Sequence, residues 1–294
     1  MYVPLIKLPE TSVSFEEGLD IMRDALQPLG EEYLTKMNKG IEEGWIDVYE
    51  NKGKTSGAYS FGCYDSYPYI LLNYTDTLKD VFTIIHEMGH SMHSRYTRDE
   101  QPYIYGSHSI FTAEVASTVN ESLLMQHLLR TKDEKEMRKY LLNMHLEEFR
   151  TTLFRQTMFA EFEDITHKAI ESGETLTAEW MCQQYEDLNA QYYGSAVEKD
   201  DVIRYEWARI PHFYNAFYVY KYATGYSAAT AISKKILTEG KPAAQDYIHF
   251  LKTGESDHPI ELLKIAGVDM SSPLPVQQAM ETFNQLLDEF ESLL

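Results

Sequence analysis

The sequence predicts a mainly α-helical chain with one small β element. Apolar residues recur at three- and four-residue intervals over most of its length, and a capping pattern opens the first such stretch. By contrast, a single aromatic segment, preceded by spaced glycines, has strand character.

Taken in order, Ser14-Phe-Glu-Glu17 has the form of a capping box, and Leu19, Met22, Leu26, Leu29, Tyr33 and Met37 follow near helical spacing. A helix is expected over roughly residues 14–38, ended by Gly40 and Gly44. Gly53, Gly57 and Gly62 then punctuate the chain, and Tyr67-Pro-Tyr-Ile-Leu-Leu-Asn-Tyr74 reads as a strand. Helix resumes over 78–97, with Val81, Ile84, Ile85 and Met88 on its buried side. Pro102 and Gly106 mark an irregular loop over 98–109, before a helix over 110–129. Residues 133–172 read as one long helix with an apolar face from Met137 to Phe159. Further helices are expected over 177–191, 215–238, 242–252, 259–265 and 275–293. No repeat, low-complexity tract or linker interrupts the pattern, so residues 1–294 read as one domain.

Composition narrows the partners. The 26 Lys plus Arg against 46 Asp plus Glu leave a formal net charge of −20, which repels phosphate backbones and anionic lipid alike. Nucleic acid and membrane surfaces are therefore not expected. Cys63 and Cys182 are far apart in sequence and are expected to be reduced thiols, with one bridge between them as the alternative. Met1 to Pro9 has no basic segment followed by an apolar one, and no run approaches the ~20 apolar residues that cross a bilayer, so a cytoplasmic location is expected. The many tyrosines are expected mostly at the core boundary.

The chemistry concentrates in His86-Glu87-Met88-Gly89-His90, an H-E-x-x-H motif inside a segment that independently reads as helix. Residues four apart share a helix face, so both imidazoles can converge on one Zn2+. Catalytic zinc takes a third protein ligand and keeps one position open, beside which Glu87 can act as general base on the attacking water. The arrangement with a third His six residues after the second is excluded, because that place holds Tyr96. The third ligand is expected from a following helix, at Glu114, 24 residues beyond His90. Glu121, two turns further on, fits a hydrogen bond to a ligand imidazole and equally a solvated helix carboxylate. His93 shares the face of His86 and His90 but lies about 10.5 Å along the axis from His86, so it reads as a packing residue or one that supports a ligand.

These and other residues identify a resemblance. Gly53-Lys-Thr-Ser-Gly-Ala-Tyr-Ser60, Pro68 to Tyr74, Val81 to His93, Ala113-Glu-Val-Ala-Ser117, Arg209-Ile-Pro-His-Phe-Tyr214, Phe217 to Gly225 and Glu261 to Asp269 are similar to segments of oligoendopeptidase F, in the thimet oligopeptidase group of zinc peptidases. The resemblance implies a helical, zincin-type catalytic lobe with its β element beside the active-site helix, a zinc metalloendopeptidase acting on short oligopeptides. His86, His90 and Glu114 match that family's zinc ligands and Glu87 its catalytic glutamate. His212 matches a histidine that stabilises the oxyanion together with a tyrosine. Tyr220 is the first choice for that tyrosine, with Tyr214, Tyr218 and Tyr222 open. Tyr214, Tyr218, Tyr69 and Gly106 are implied as substrate contacts, with the strand at Tyr67–Tyr74 as the edge along which a peptide lies and Tyr105 and Gly106 in a loop over the cleft. Members are about twice this long, which implies association with an absent N-terminal half or with another copy. The alternative reading is a zinc-binding lobe that binds peptide or a partner half and turns over little by itself.

Overall fold

The computed structural model describes Ile6, residues 12–198 and residues 200–294; apart from Ile6, the Met1–Pro9 start lies outside them. The described residues form eleven α-helices and one three-stranded sheet, the mainly α architecture expected. In order they are α1 (Phe15–Ala25), α2 (Glu31–Glu42), β1 (Ile46–Asp47), β2 (Tyr59–Phe61), β3 (Tyr69–Leu71), α3 (Leu78–Glu100) and α4 (Ile110–Thr131). There follow α5 (Lys135–Glu148), α6 (Arg155–Glu171), α7 (Ala178–Tyr193), α8 (Tyr220–Glu239), α9 (Lys241–Leu251), α10 (Pro259–Ile265) and α11 (Leu274–Leu293). The chain divides into two compact units: the residues up to Leu146 together with Gly225–Leu294, and Glu147–Thr224.

In the first unit α3 and α4 are the central pair. α3 starts at a capping box in which the Asp80 carboxylate accepts the Thr77 amide at 3.0 Å and the Thr77 hydroxyl at 2.7 Å. Val81, Ile84, Ile85, Met88 and Met92 of α3 are buried, as are Val115, Val119, Leu123 and Leu128 of α4. Asn120, fully buried on α4, donates from Nδ2 to the Ile85 carbonyl at 3.2 Å and so ties the two helices one residue before His86.

The helix expected over 14–38 is broken. Pro28 cannot continue an amide ladder, and Gly30, at φ +88°, turns the chain between α1 and α2. Gly40 does not end α2 but lies buried within it, where a Cβ would stand 2.5 Å from the Trp45 ring; Gly44, at φ +78°, follows the helix end.

The sheet order is β1-β3-β2, with β1 parallel and β2 antiparallel to β3. The strand expected at the edge is therefore the middle one. Ile70 and Leu72 donate their amides to Trp45 and Asp47 at 2.8 Å each, so β3 uses both of its sides, and Ile70 is 1% exposed. The open edge beyond β3 is β2.

In the second unit, Met158, Phe159, Phe162, Tyr185, Leu188, Ile210 and Val219 form the core. Glu206 accepts the Tyr185 hydroxyl at 2.6 Å and pairs with Arg155 at 2.7 Å. The helix expected over 133–172 follows a nearly continuous path, but Phe149–Phe154 is a π-helical stretch. The helix expected from residue 215 begins only at Tyr220, after a 3₁₀ turn at Pro211–Tyr214 and a left-handed residue, Phe217, at φ +56°. Cys63 and Cys182 are free thiols, and no helix among the described residues is long and apolar enough to cross a membrane.

Gly40→Ala is expected to lower stability by about 1–3 kcal/mol, because the methyl group must displace the Trp45 ring. Thermal denaturation measures it; an unchanged midpoint would show that Trp45 yields without cost.

Candidate metal centre

One turn of α3 brings the His86 and His90 Nε2 atoms to 3.1 Å of each other. Between them, Gly89 faces α4: a Cβ there would stand 2.6 Å from the Ser117 Cα and 2.7 Å from the Ala116 carbonyl oxygen. The missing side chain lets the two backbones approach, and the approach brings Glu114 to the histidines. Its Oε2 lies 3.5 Å from His86 Nε2 and 3.4 Å from His90 Nε2, and it accepts the Ser117 hydroxyl at 3.1 Å.

Tetrahedral ligation at ~2.0–2.1 Å places ligand atoms about 3.3–3.4 Å apart. The three separations here, 3.1, 3.4 and 3.5 Å, suit that geometry without rearrangement. Two imidazole nitrogens and a carboxylate oxygen are a donor set for Zn2+ or a similar divalent ion. Among the described residues, His86, His90 and Glu114 form the one cluster able to hold a metal ion.

The surrounding charges prepare those donors. Glu121 Oε1 lies 3.2 Å from His86 Nδ1, so Nδ1–H is the donor there and Nε2 is the atom turned to the cluster. Burial opposes charge on His86, but Glu121, with Glu114 and Glu87, outweighs it and raises this imidazole to about 9. Burial likewise favours a neutral Glu114, yet the two histidines and the Ser117 hydroxyl hold it at about 2. Glu87, 8% exposed, is pushed above its usual range by burial, an effect that His86, His90 and the Ser60 backbone amide counter in part. Ser60 and Gly89 thus belong to the site although sequence reasoning gave neither a role. For Gly89 the signal was there, a residue without a side chain between the two histidines of the motif.

His93 packs away from the cluster. It is 1% exposed and stacks on His108 with ring centroids 4.1 Å apart, and burial keeps both imidazoles neutral. Tyr69, on the middle strand, is half-exposed, and Gly106 is buried against the Tyr64 ring.

In the second unit, His212 Nε2 lies 3.3 Å from the Tyr222 hydroxyl, and the Tyr218 ring stands 5.6 Å from both the imidazole and the Tyr222 ring. Tyr214 is 81% exposed. Tyr220 is 38% exposed, with Lys221 Nζ 5.7 Å from its ring centre. Tyr218 and Tyr222 therefore form the aromatic surround of His212, a pairing that sequence had left open.

The family model described as "Peptidase family M3" matches residues 12–282. Over all 294 residues the chain is 54% identical to Oligopeptidase PepF of Bacillus subtilis (strain 168), covering 44% of that protein. It is 47% identical to an oligoendopeptidase F homolog of Lactococcus lactis subsp. lactis (strain IL1403), covering 49% of it. The crystal structure of oligoendopeptidase-F from Enterococcus faecium superposes with a TM-score of 0.74 at 39% identity, over 97% of this chain and 45% of that one. The chain thus spans about half the length of the curated relatives it matches. With the match running through both units, and with a helical architecture shared with an oligoendopeptidase F structure, the chain belongs to peptidase family M3.

Proposed function

We propose that this chain is the zinc-binding, peptide-cleaving part of an oligopeptidase, hydrolysing peptide bonds in short peptides. The observation that carries the reading is the triangle of His86, His90 and Glu114, whose edges fit a tetrahedral ion. Those three residues would hold one Zn2+ per chain. When bound, zinc supplies Lewis acidity to the scissile carbonyl and to the attacking water. Glu87 takes a proton from that water and returns it to the leaving amine; its burial beside two histidines supports the role, because a carboxylate raised above its usual range is a better base. Glu121 holds the His86 ring in the tautomer that leaves Nε2 for the ion. His212, with a tyrosine, donates to the developing oxyanion. The contact to Tyr222 and the packing of Tyr218 favour these two over Tyr220 as the first to test.

Substrate is expected as an extended peptide along β2 rather than along β3. The Ile70 amide bonds to β1, so the Ser60–Ile70 pair is the non-hydrogen-bonded kind and Ser60 turns its backbone groups outward. The Ser60 amide also meets Glu87, so a strand added at this edge lies beside the general base. Tyr69, beside that strand, would then contact substrate side chains, and Tyr105 and Gly106 belong to the loop proposed to cover them; Tyr214 is proposed as a substrate contact from the family resemblance alone. No partner other than peptide is required by this chemistry. The free thiols of Cys63 and Cys182 suit a reducing compartment such as the cytoplasm.

Three outcomes are expected. Glu87→Gln should retain one zinc per chain and lose at least about 10²-fold in turnover of an internally quenched peptide; equal rates in parent and variant would remove Glu87 as the base. A parent chain that binds stoichiometric zinc and cuts nothing would favour the second reading, a metal-binding lobe that works only with a partner half, as its span of about half the relatives' length allows.

Zinc binding at pH 7 should release about one proton per ion, because His86, held up at about 9, carries a proton that ligation displaces. Calorimetry in two buffers of different ionisation heat reads it; zero release would show that His86 carries no proton before the ion binds.

Gly89→Ala should weaken zinc binding by about 10–100-fold, the range seen when groups that orient ligands are lost, since its methyl group forces α4 away from α3. Zinc competition against a chromogenic chelator measures this, and unchanged affinity would mean that the helices separate without moving Glu114.

A further inference from the structure

Glu163 on α6 is 3% exposed, an unusual place for a carboxylate that makes no ion pair among the described residues. Its Oε1 accepts the Phe217 amide at 2.9 Å, and its buried Oε2 has no hydrogen-bond partner among the described residues. The residue it holds is also unusual. Phe217 sits at φ +56°, a left-handed conformation that side chains other than glycine adopt only where their surroundings enforce it.

A second contact fixes the same turn. The His167 ring, one helical turn beyond Glu163, lies 4.5 Å from the Phe217 ring, with its Nδ1 2.8 Å from the Glu163 carbonyl oxygen. The turn joins the 3₁₀ segment that carries His212 to the first residues of α8, and Tyr218 comes directly after Phe217. Val219, fully buried, anchors the far side in the core. Burial disfavours charge on Glu163, while the Phe217 amide, His167, His212 and Lys221 favour it.

Packing alone does not call for this arrangement. An apolar side chain at 163 would fill the space without desolvating a carboxylate. What only a hydrogen-bond acceptor can do there is hold the amide of a left-handed residue. We propose that Glu163 is a positioning residue: by binding the Phe217 amide it locks residues 215–218 into the left-handed turn and so fixes His212 and Tyr218 against each other. Its catalytic consequence rests on the proposed role of His212 at the oxyanion, whereas the lock itself does not.

The test uses the whole chain with Glu163→Met, which fills the site but accepts no hydrogen bond, and Glu163→Gln, whose amide oxygen can accept the same one. Amide exchange read by mass spectrometry should be about tenfold faster in the segment containing Phe217 for the Met variant, with α7 unchanged. In chain labelled at histidine, the His212 Cε1–H resonance should move in the Met variant and return toward its parent position in the Gln variant. Unchanged exchange and resonance in the Met variant, or a Gln variant that behaves like Met, would overturn the proposal. If the Met variant is destabilised throughout, the Gln variant decides: parent-like exchange and resonance support the lock, and their loss sinks it. On a quenched peptide, the Met variant should lose about 10–100-fold in kcat with KM within about twofold. A parent chain that binds zinc but shows no turnover would count against the hydrolytic reading, leaving exchange and resonance to judge Glu163.

Discussion

The contact on which the site depends is the approach of α3 to α4 at Gly89. Two helices normally keep 8–10 Å between their axes, a distance set by the side chains at the crossing. Here the crossing point has no side chain on α3, and the Ala116–Ser117 backbone fills the place a Cβ would take. Glu114 stands one turn before that contact, and Ser117, at the contact itself, steadies the carboxylate oxygen that faces the two histidines. Asn120 repeats the constraint one turn on by bonding to the Ile85 carbonyl.

The same crossing explains the electrostatics. Drawing three acids, Glu87, Glu114 and Glu121, and two imidazoles into one half-buried place removes water that would otherwise screen them. Glu114 is driven low and His86 high, while Glu87, with fewer compensating partners, is driven up. Three residues within a few ångströms thus acquire different proton affinities from one cause. A carboxylate that stays ionised is a good ligand, and one that holds protons more readily is a good base.

Much of this was legible in the residues. The H-E-x-x-H spacing and the helical context around it follow from local pattern, because α3 is long and amphipathic, whereas Glu114 is picked out by its spacing from His90 and by the family resemblance. The misses have tertiary causes. That β3 is the middle strand depends on β1, a two-residue strand whose pairing with Ile70 no local pattern announces. The start of α8 could not be placed because Phe217 is left-handed through a bond to Glu163, 54 residues earlier. For the same reason Tyr218 lies outside the helix, and a helical phase counted through it would misplace every tyrosine near His212.

The α3–α4 pair also bears on the order in which the chain gains structure. His86 and Glu114 are 28 residues apart, so closing the loop between them costs little entropy and needs no distant part of the chain. The bond from the Thr97 hydroxyl to the Leu251 carbonyl, by contrast, spans 154 residues. Contacts of short sequence separation form fast and those of long separation form late. The candidate metal centre is therefore built on contacts of short sequence separation, and an ion bound there would staple α3 to α4 without help from the C-terminal helices.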